Sequence, residues 1–485
     1  MAQVRQRRDV WKLDEWDPIL LWYAKAIGTM QTRAMQDPTS WRYQAAIHDY
    51  VAGADPLAQA GDVLPSNGDQ NRFWQQCQHG SWFFLSWHRM YLFYFEQIVT
   101  AAIVQLGGPA NWALPYWNYS DPNNPDARRL PPAFREQNMP DGSPNPLRVE
   151  ARDEGNDGGL VGDPRDVDLQ DCLSDPVFVA DPTGGNPGFG GPQTRFEHSG
   201  GAIGKLERTP HGNMHVAVGG WMGQFNTAGL DPLFWLHHAN IDRLWNVWRG
   251  RNAQNVNPTD PQWLTGVAFE FHDASGAIVS LTSDRVVDTT ALPLLYSYED
   301  ESDPLGGAPA PSVIKGVSMA QRPIPEMVGA SSEPVTLTGQ PAQTRMAVQA
   351  PTGPAREAGA VGAAPRKIYL NIENVTGSGR ARRYSVYLNV PEGSDPASHA
   401  ELYAGDLPMF GVVESSRSDA THAGSGLHYT LDVSDIVRRL ESTGAWDPKN
   451  VRVSFVPKPW GSAPQRALRA VDHEIHVGRV SLYYA

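Results

Sequence analysis

Cysteine is nearly absent from this 485-residue chain: Cys77 and Cys172 are the whole complement, so a disulfide framework is excluded and at most one bridge can form. An excess of positive charge is missing too. Forty Lys plus Arg against 53 Asp plus Glu leave a formal charge of −13, which argues against a broad basic surface for nucleic acid or anionic lipid and favours small-molecule partners. There is no long uninterrupted apolar run. The most apolar stretch, residues 90–106, carries Glu96 and Gln97 near its middle and is too short for a membrane span, so it reads as a buried helix. The opening segment MAQVRQRRDVWKLDEWD lacks the apolar stretch of a secretory signal. A cytoplasmic location is therefore the default expectation, with export alongside a partner protein left open. No repeat of fixed period is present.

What is present is enough apolar material for a sizeable interior. Hydrophobic residues make up 41% of the chain and charged residues 19%, and a length of 485 residues gives a prior of two to four domains at about 150 residues each. Tryptophan is concentrated before residue 250, as are eight of the 14 histidines. Ser40 followed by WRYQAAIHDYVA and Gly53 predicts a capped helix of three turns bearing His48. A second helix is expected from about Trp87 through HRMYLFYFEQIVTAAIVQL, with His88 in its first turn. Thr209–Pro210 and Asp231–Pro232 each read as a cap followed by a first-turn proline, so two further helices should start there. Residues 121–200, rich in Pro, Gly, Asp and Asn, read as long loops.

Beyond Tyr298 the pattern changes. An Ala-, Pro-, Gly- and Ser-rich linker is followed by short β-branched and aromatic runs: KIYLNIENV, RRYSVYLNV, LHYTLDV, NVRVSFV and HVGRVSLYY. PVTLTGQ reads as a first strand, and residues 351–365 read as a flexible insertion. The expected architecture is a multidomain α + β chain: a mainly α-helical domain over residues 1–300 built on a four-helix bundle, a linker over 301–330, and an antiparallel β-sandwich or barrel over 331–485.

The histidines carry the chemistry. His211 and His215, four apart on an expected helix, project from one face and can share an ion, although spacing alone is weak evidence. A zinc-protease motif fails because Gly212 stands where Glu is required. His238 lies on the helix after Pro232 with Asp242 four residues on, so one helix can supply both a ligand and an acceptor behind the ligands. The adjacent His237 points about 100° away and reads equally well as a core histidine. His48, His79 and His88 form a second candidate triad. Six neutral imidazoles without thiolate or carboxylate suit copper, with zinc and iron left open by ligand softness alone.

These segments resemble a known family. HGSWFFLSWHRMYLFYFE, and TPHGNMHVAVGG followed by DPLFWLHHANIDRLW, are similar to the two copper signatures of tyrosinases, catechol oxidases and molluscan haemocyanins, the type-3 copper proteins. The resemblance implies two copper ions with O2 as co-substrate, one ion held by His48, His79 and His88 and the other by His211, His215 and His238, with His237 not a ligand. Tyr296 and Tyr298 match the tyrosine motif of plant polyphenol oxidases, with an N-terminal arginine, expected to be Arg8, as its partner. RYSVYLNVPEG and LYAGDLPMFG resemble the C-terminal shielding domain of those enzymes.

Further roles follow from the resemblance. Cys77, two residues before His79, implies a thioether to that ring; an ordinary buried thiol is the alternative, and Cys172 has no assigned role. Glu207 implies a carboxylate that holds water near copper, against the plainer reading of an exposed charge before a helix. Gly212 stands where many tyrosinases carry an asparagine that helps hold that water. Phe225 implies a gate over the site, and Leu407, Met409 and Phe410 are candidate plugs. The implied activity is that of a tyrosinase, ortho-hydroxylating monophenols and oxidising o-diphenols to o-quinones, as in melanin formation. A catechol oxidase with little monophenolase activity and a haemocyanin-like oxygen carrier are the alternatives. Small phenols are the expected partners, without nucleic acid or membrane, and a homo-oligomer is left open.

Overall fold

The computed structural model describes residues 4–153, 155–196, 201–306, 324–351, 366–418, 424–459 and 473–485. Three long helices set the frame of the first domain. Phe84–Gln105 is buried nearly all round, as its sequence demands, and it packs against Pro18–Gln31 on one side and Pro232–Arg251 on the other. The last of these begins as expected, with the Asp231 carboxylate accepting from the Leu233 N–H and Pro232 in the first turn. Two short helices, Trp41–His48 and Asn213–Val218, flank this frame. The helical core is thus three long helices, of 14, 22 and 20 residues, with short neighbours, and residues 121–153 and 155–196 are mostly irregular, as expected.

Three helix boundaries differ from the sequence reading. The helix capped by Ser40 ends at His48 rather than reaching Gly53. The chain returning at Gln75 and Gln76 donates to the carbonyls of Ala46 and Ile47, which closes the last turn from outside. The next helix starts at Phe84, so His88 sits in its second turn. Thr209 and Pro210 do not open a regular helix. They lie inside a wide turn, Glu207–Gly212, where Thr209 is extended (φ −136°, ψ 121°), and regular helix resumes only at Asn213.

The C-terminal part is built from two mainly antiparallel sheets, neither closed into a barrel. One has the strand order Tyr403–Pro408, Arg383–Leu388, Val451–Pro457, Ala342–Met346. The other runs Gly201–Ala202, Leu427–Asp432, Ile368–Gly379, His473–Tyr484, Glu326–Ala330, with Val335–Leu337 also paired to His473–Tyr484. Glu326–Ala330 corrects the expected linker, because these residues pair with Ser481–Tyr484 and belong to the sheet. The insertion expected over 351–365 lies almost wholly outside the described residues.

The two parts interlock. Gly201–Ala202, from the helical domain, adds a parallel strand to the C-terminal sheet a few residues before Glu207. Buried apolar residues of both parts form one continuous cluster. At the seam the Asp166 carboxylate is enclosed and accepts from Arg383 and from Lys458 Nζ (2.7 Å), which also donates to Asp406 (2.7 Å). Among the described residues no helix is long and apolar enough to cross a membrane.

Candidate metal centre

Each half of the centre is assembled from neighbouring elements. His48 is the last residue of its helix, His79 lies on the irregular segment before Phe84–Gln105, and His88 is on that helix. His211 sits on the wide turn, His215 on the short helix that follows, and His238 on Pro232–Arg251. The ligand atoms of His48, Cys77, His79 and His88 all lie within 4.8 Å of one another, and so do those of His211, His215, His237 and His238. The halves adjoin: the rings of His88 and His238 stack at 4.4 Å, and those of His79 and His211 are 5.5 Å apart.

Hydrogen bonding fixes which nitrogen faces the centre. The Nδ1 atoms of His48, His88, His211 and His215 meet the carbonyls of Phe225 (2.9 Å), Phe84 (2.7 Å), Glu207 (3.1 Å) and Met222 (2.8 Å). A carbonyl only accepts, so each Nδ1 carries the proton and each Nε2 keeps its lone pair for an ion. His211 Nε2 is buried with no hydrogen-bond partner among the described residues, an arrangement that is costly unless something positive sits there. Burial, with repulsion from neighbouring rings where they crowd, lowers the imidazoles' proton affinity. His88 and His215 are pushed down to about 3, and His211 and His238 well below the ordinary histidine value. Six neutral nitrogen donors in two adjacent triads fit a pair of copper ions.

His237 also comes within reach of the second group, although its ring lies between those of Tyr119 and His211, at 5.7 and 5.4 Å. Cys77 Sγ is 3.1 and 3.9 Å from the two ring nitrogens of His79 and 3.2 Å from His88 Nε2. Burial pushes its thiol well up. Cys172 is buried elsewhere, its Sγ 3.5 Å from the Leu169 carbonyl.

Glu207 is not an exposed charge before a helix. It is 4% exposed, lines the cavity beside His79 and His211, and accepts from the Gly80 N–H at 2.9 and 3.1 Å. Burial raises its pKa to about 8 against the pull of that hydrogen bond. Phe225 lies over the first triad, 4.5 Å from the His79 ring and 4.7 Å from His48. Of the three plug candidates, Phe410 enters, stacking on His215 at 4.0 Å and meeting Phe225 at 5.2 Å, whereas Leu407 and Met409 do not line the cavity. Gly212 lies under the same strand end: a Cβ there would stand 2.9 Å from Pro408 Cγ.

Two expectations need correction. The tyrosine motif is paired by Arg7, not Arg8. The Arg7 guanidinium donates to Tyr298 Oη (2.8 Å) and Glu96 (2.8 Å) and lies 3.7 Å over the Tyr296 ring, while Arg8 bonds Glu299. Asp242 makes no hydrogen bond to a ligand imidazole among the described residues, although its charge acts on His88. Its oxygens accept from Arg89 (2.5 Å), Tyr296 (2.6 Å) and Tyr298 (2.5 Å), with Arg7 at 3.4 Å, which makes it the hub that ties the chain's first strand to its helices.

The common central domain of tyrosinase matches residues 38–158 and 178–251. A domain of unknown function, DUF7868, matches residues 324–485. Tyrosinase HcTyr1 of Hahella sp. (strain CCB-MM4) is 36% identical over 495 residues, covering 99% of each chain. The chain belongs to the tyrosinase and polyphenol oxidase family. This tyrosinase-family chain is also 28% identical to the latent form of chloroplastic polyphenol oxidase from Prunus armeniaca, over 91% of its length and 71% of the relative's. Its fold is shared with latent apple tyrosinase, at a TM-score of 0.62 and 24% identity over 100% and 98% of the two chains. Membership of this family brings with it a dinuclear copper cofactor and phenolic substrates.

Sequence reasoning missed the backbone groups of the site, namely the Gly80 N–H and the carbonyls of Met222 and Phe225. They carry no side-chain signature, and only the fold reveals them.

Proposed function

We propose that the protein is a tyrosinase, oxidising monophenols as well as o-diphenols to o-quinones, held latent by its C-terminal domain. His48, His79 and His88 hold one copper, and His211, His215 and His238 the other; His237 stays behind them. Copper bound there supplies the redox chemistry by which O2 oxidises a phenol. The remaining residues place and deprotonate the substrate. The observation that carries monophenolase activity is Glu207, a buried carboxylate facing the cavity beside both triads. Ionised, it accepts the phenol's proton directly or through a water, and the Gly80 N–H steadies that form. Phe225 offers a flat wall to an aromatic ring. We also assign a thioether between Cys77 Sγ and the His79 ring, formed with loss of one hydrogen from each and with O2 as the oxidant. It would show as a mass lower by two hydrogens and a thiol inert to alkylation after denaturation.

The second reading, a catechol oxidase, draws on Gly212, which offers no side chain to help Glu207 hold water. Oxygen uptake with a monophenol and no added diphenol decides between them, measured after limited proteolysis has displaced the C-terminal domain. Sustained uptake that falls at least tenfold in Glu207→Gln, with diphenol turnover largely kept, supports the tyrosinase. Uptake with diphenol alone leaves the catechol oxidase, and uptake with neither leaves an oxygen carrier.

A further inference from the structure

His88 and His211 are oriented locally, each Nδ1 donating to a carbonyl four residues earlier. His48 and His215 are held by one loop instead. Their acceptors, Phe225 O and Met222 O, stand three residues apart in it, 177 residues on from His48 and seven on from His215 respectively. A single turn of chain therefore aims one imidazole from each triad.

The loop's own closure is visible. The Thr227 hydroxyl donates to the Trp221 carbonyl at 2.9 Å, spanning the loop, and Gln224 N–H donates to the same carbonyl at 3.2 Å. Ala228 N–H returns to Gln224 O at 2.9 Å. The loop's entry is pinned by Gly220 N–H on Asp153 (3.2 Å), at a place where Gly219 and Gly220 have φ of +65° and +55° and any Cβ would collide with Asp153 or the Ala151 carbonyl. Thr227 itself touches no histidine among the contacts described; it acts on the two carbonyls through the loop.

We propose that Trp221–Thr227 is a shared clamp for both copper sites and that Thr227 is its positioning residue. The inference rests on the copper reading above. Removing the hydroxyl loosens the turn that holds Met222 O and Phe225 O in place, so His48 and His215 lose orientation together. Affinity then falls at both sites in step, by about tenfold, the lower end of the range for partners one bond removed from a metal ligand. A substitution of one ligand would instead weaken one site.

The test uses the full chain as wild type, Thr227→Val and Thr227→Ser, each loaded with copper(I) and equilibrated against increasing concentrations of a copper(I) chelator. Copper per chain is measured by elemental analysis, and the fold is checked by circular dichroism. The expected result is two ions held by wild type and by Thr227→Ser, and loss of both ions from Thr227→Val at about a tenfold lower chelator concentration. If Thr227→Val does not fold, Thr227→Ala is judged by the same criterion. Wild-type retention in a folded variant lacking the hydroxyl, or loss of one ion only, overturns the clamp. A wild-type chain that holds no pair of copper ions overturns the copper reading itself, a result distinct from either of these.

Discussion

The ring of Phe410 lies flat on the imidazole of His215, with centroids 4.0 Å apart and planes within 10°. A side chain from the C-terminal domain thus lines the cavity and covers an imidazole of the second triad. It also touches His79 and His211, at 6.0 and 5.8 Å, so it spans both halves of the centre.

Phe410→Ala should open that cavity in the intact chain. Substrate no longer has to displace the domain to reach the histidines, so kcat/KM for a diphenol rises by at least tenfold while copper content stays at the wild-type level. Truncating a buried phenylalanine costs about 3–5 kcal/mol, and here part of that loss falls on docking of the domain. Initial rates of quinone formation at matched copper loading check it; an unchanged rate would mean that access is limited elsewhere.

Gly212 should seat the same plug from below. A methyl at this position would stand 2.9 Å from Pro408 Cγ and 3.2 Å from Pro408 Cβ, and overpacking of that kind costs about 1–3 kcal/mol. The same Cβ would stand 3.3 Å from the Glu207 carbonyl that orients His211, so the opened chain reports any strain on the turn itself. Since 1.4 kcal/mol is tenfold in an equilibrium, Gly212→Ala should raise the activity of the intact chain several-fold and leave a proteolytically opened chain unchanged. Comparing the two forms of one preparation separates a seat for the plug from a direct effect on chemistry.

The six histidines were legible mainly because the segments that carry them resemble the copper signatures of a known family; helical spacing by itself tied together only His211 and His215. Less local relations were not. Along the first strand, Arg5 and Arg7 project to one side and both pair with Glu96, whereas Arg8, one step on, turns to Glu299. Choosing between adjacent arginines needs the register of Arg5–Arg7 against Tyr296–Tyr298, which only the fold supplies. The plug follows a similar alternation. Met409 N–H still donates to Arg382 O, continuing the ladder, so Leu407 and Met409 keep to one side and Phe410 takes the other. The strand Glu326–Ala330 was hidden because its order comes from pairing with residues about 150 positions away, not from its own composition.

Acid should release the C-terminal domain through Asp166. Burial alone would raise the pKa of this carboxyl, but Arg383 and Lys458 outweigh it and hold the group below its ordinary value. A lowered pKa in the docked state means that docking gains stability above the free carboxyl's value, about 3.9, and loses it as pH falls below that toward the lowered one. Brief exposure below about pH 4, followed by assay at neutral pH before the domain re-docks, should raise activity. Asp166→Asn should show raised activity without acid, because breaking one partner of a buried ion pair costs about 3–5 kcal/mol. Copper content must be measured in parallel, since acid also protonates imidazoles; activation without copper loss, absent from the already open Asp166→Asn, is the decisive pattern.

Arg7 and Arg8 should differ sharply in their contribution to stability. Arg7 is fully enclosed, ion-paired to Glu96 and Asp242 and laid over Tyr296. Removing it leaves two buried carboxylates short of a partner, so Arg7→Ala should cost about 3–5 kcal/mol. Arg8 is part-exposed and makes one pair with Glu299 at 3.2 Å, and Arg8→Ala should cost no more than about 1 kcal/mol. Urea unfolding followed by tryptophan emission measures both. Asp242→Asn belongs with Arg7→Ala, because the same hub loses its charge while Arg7 and Arg89 stay buried. If Arg8→Ala proved the more damaging, the strand register placed beside Tyr296 and Tyr298 would have to shift by one residue.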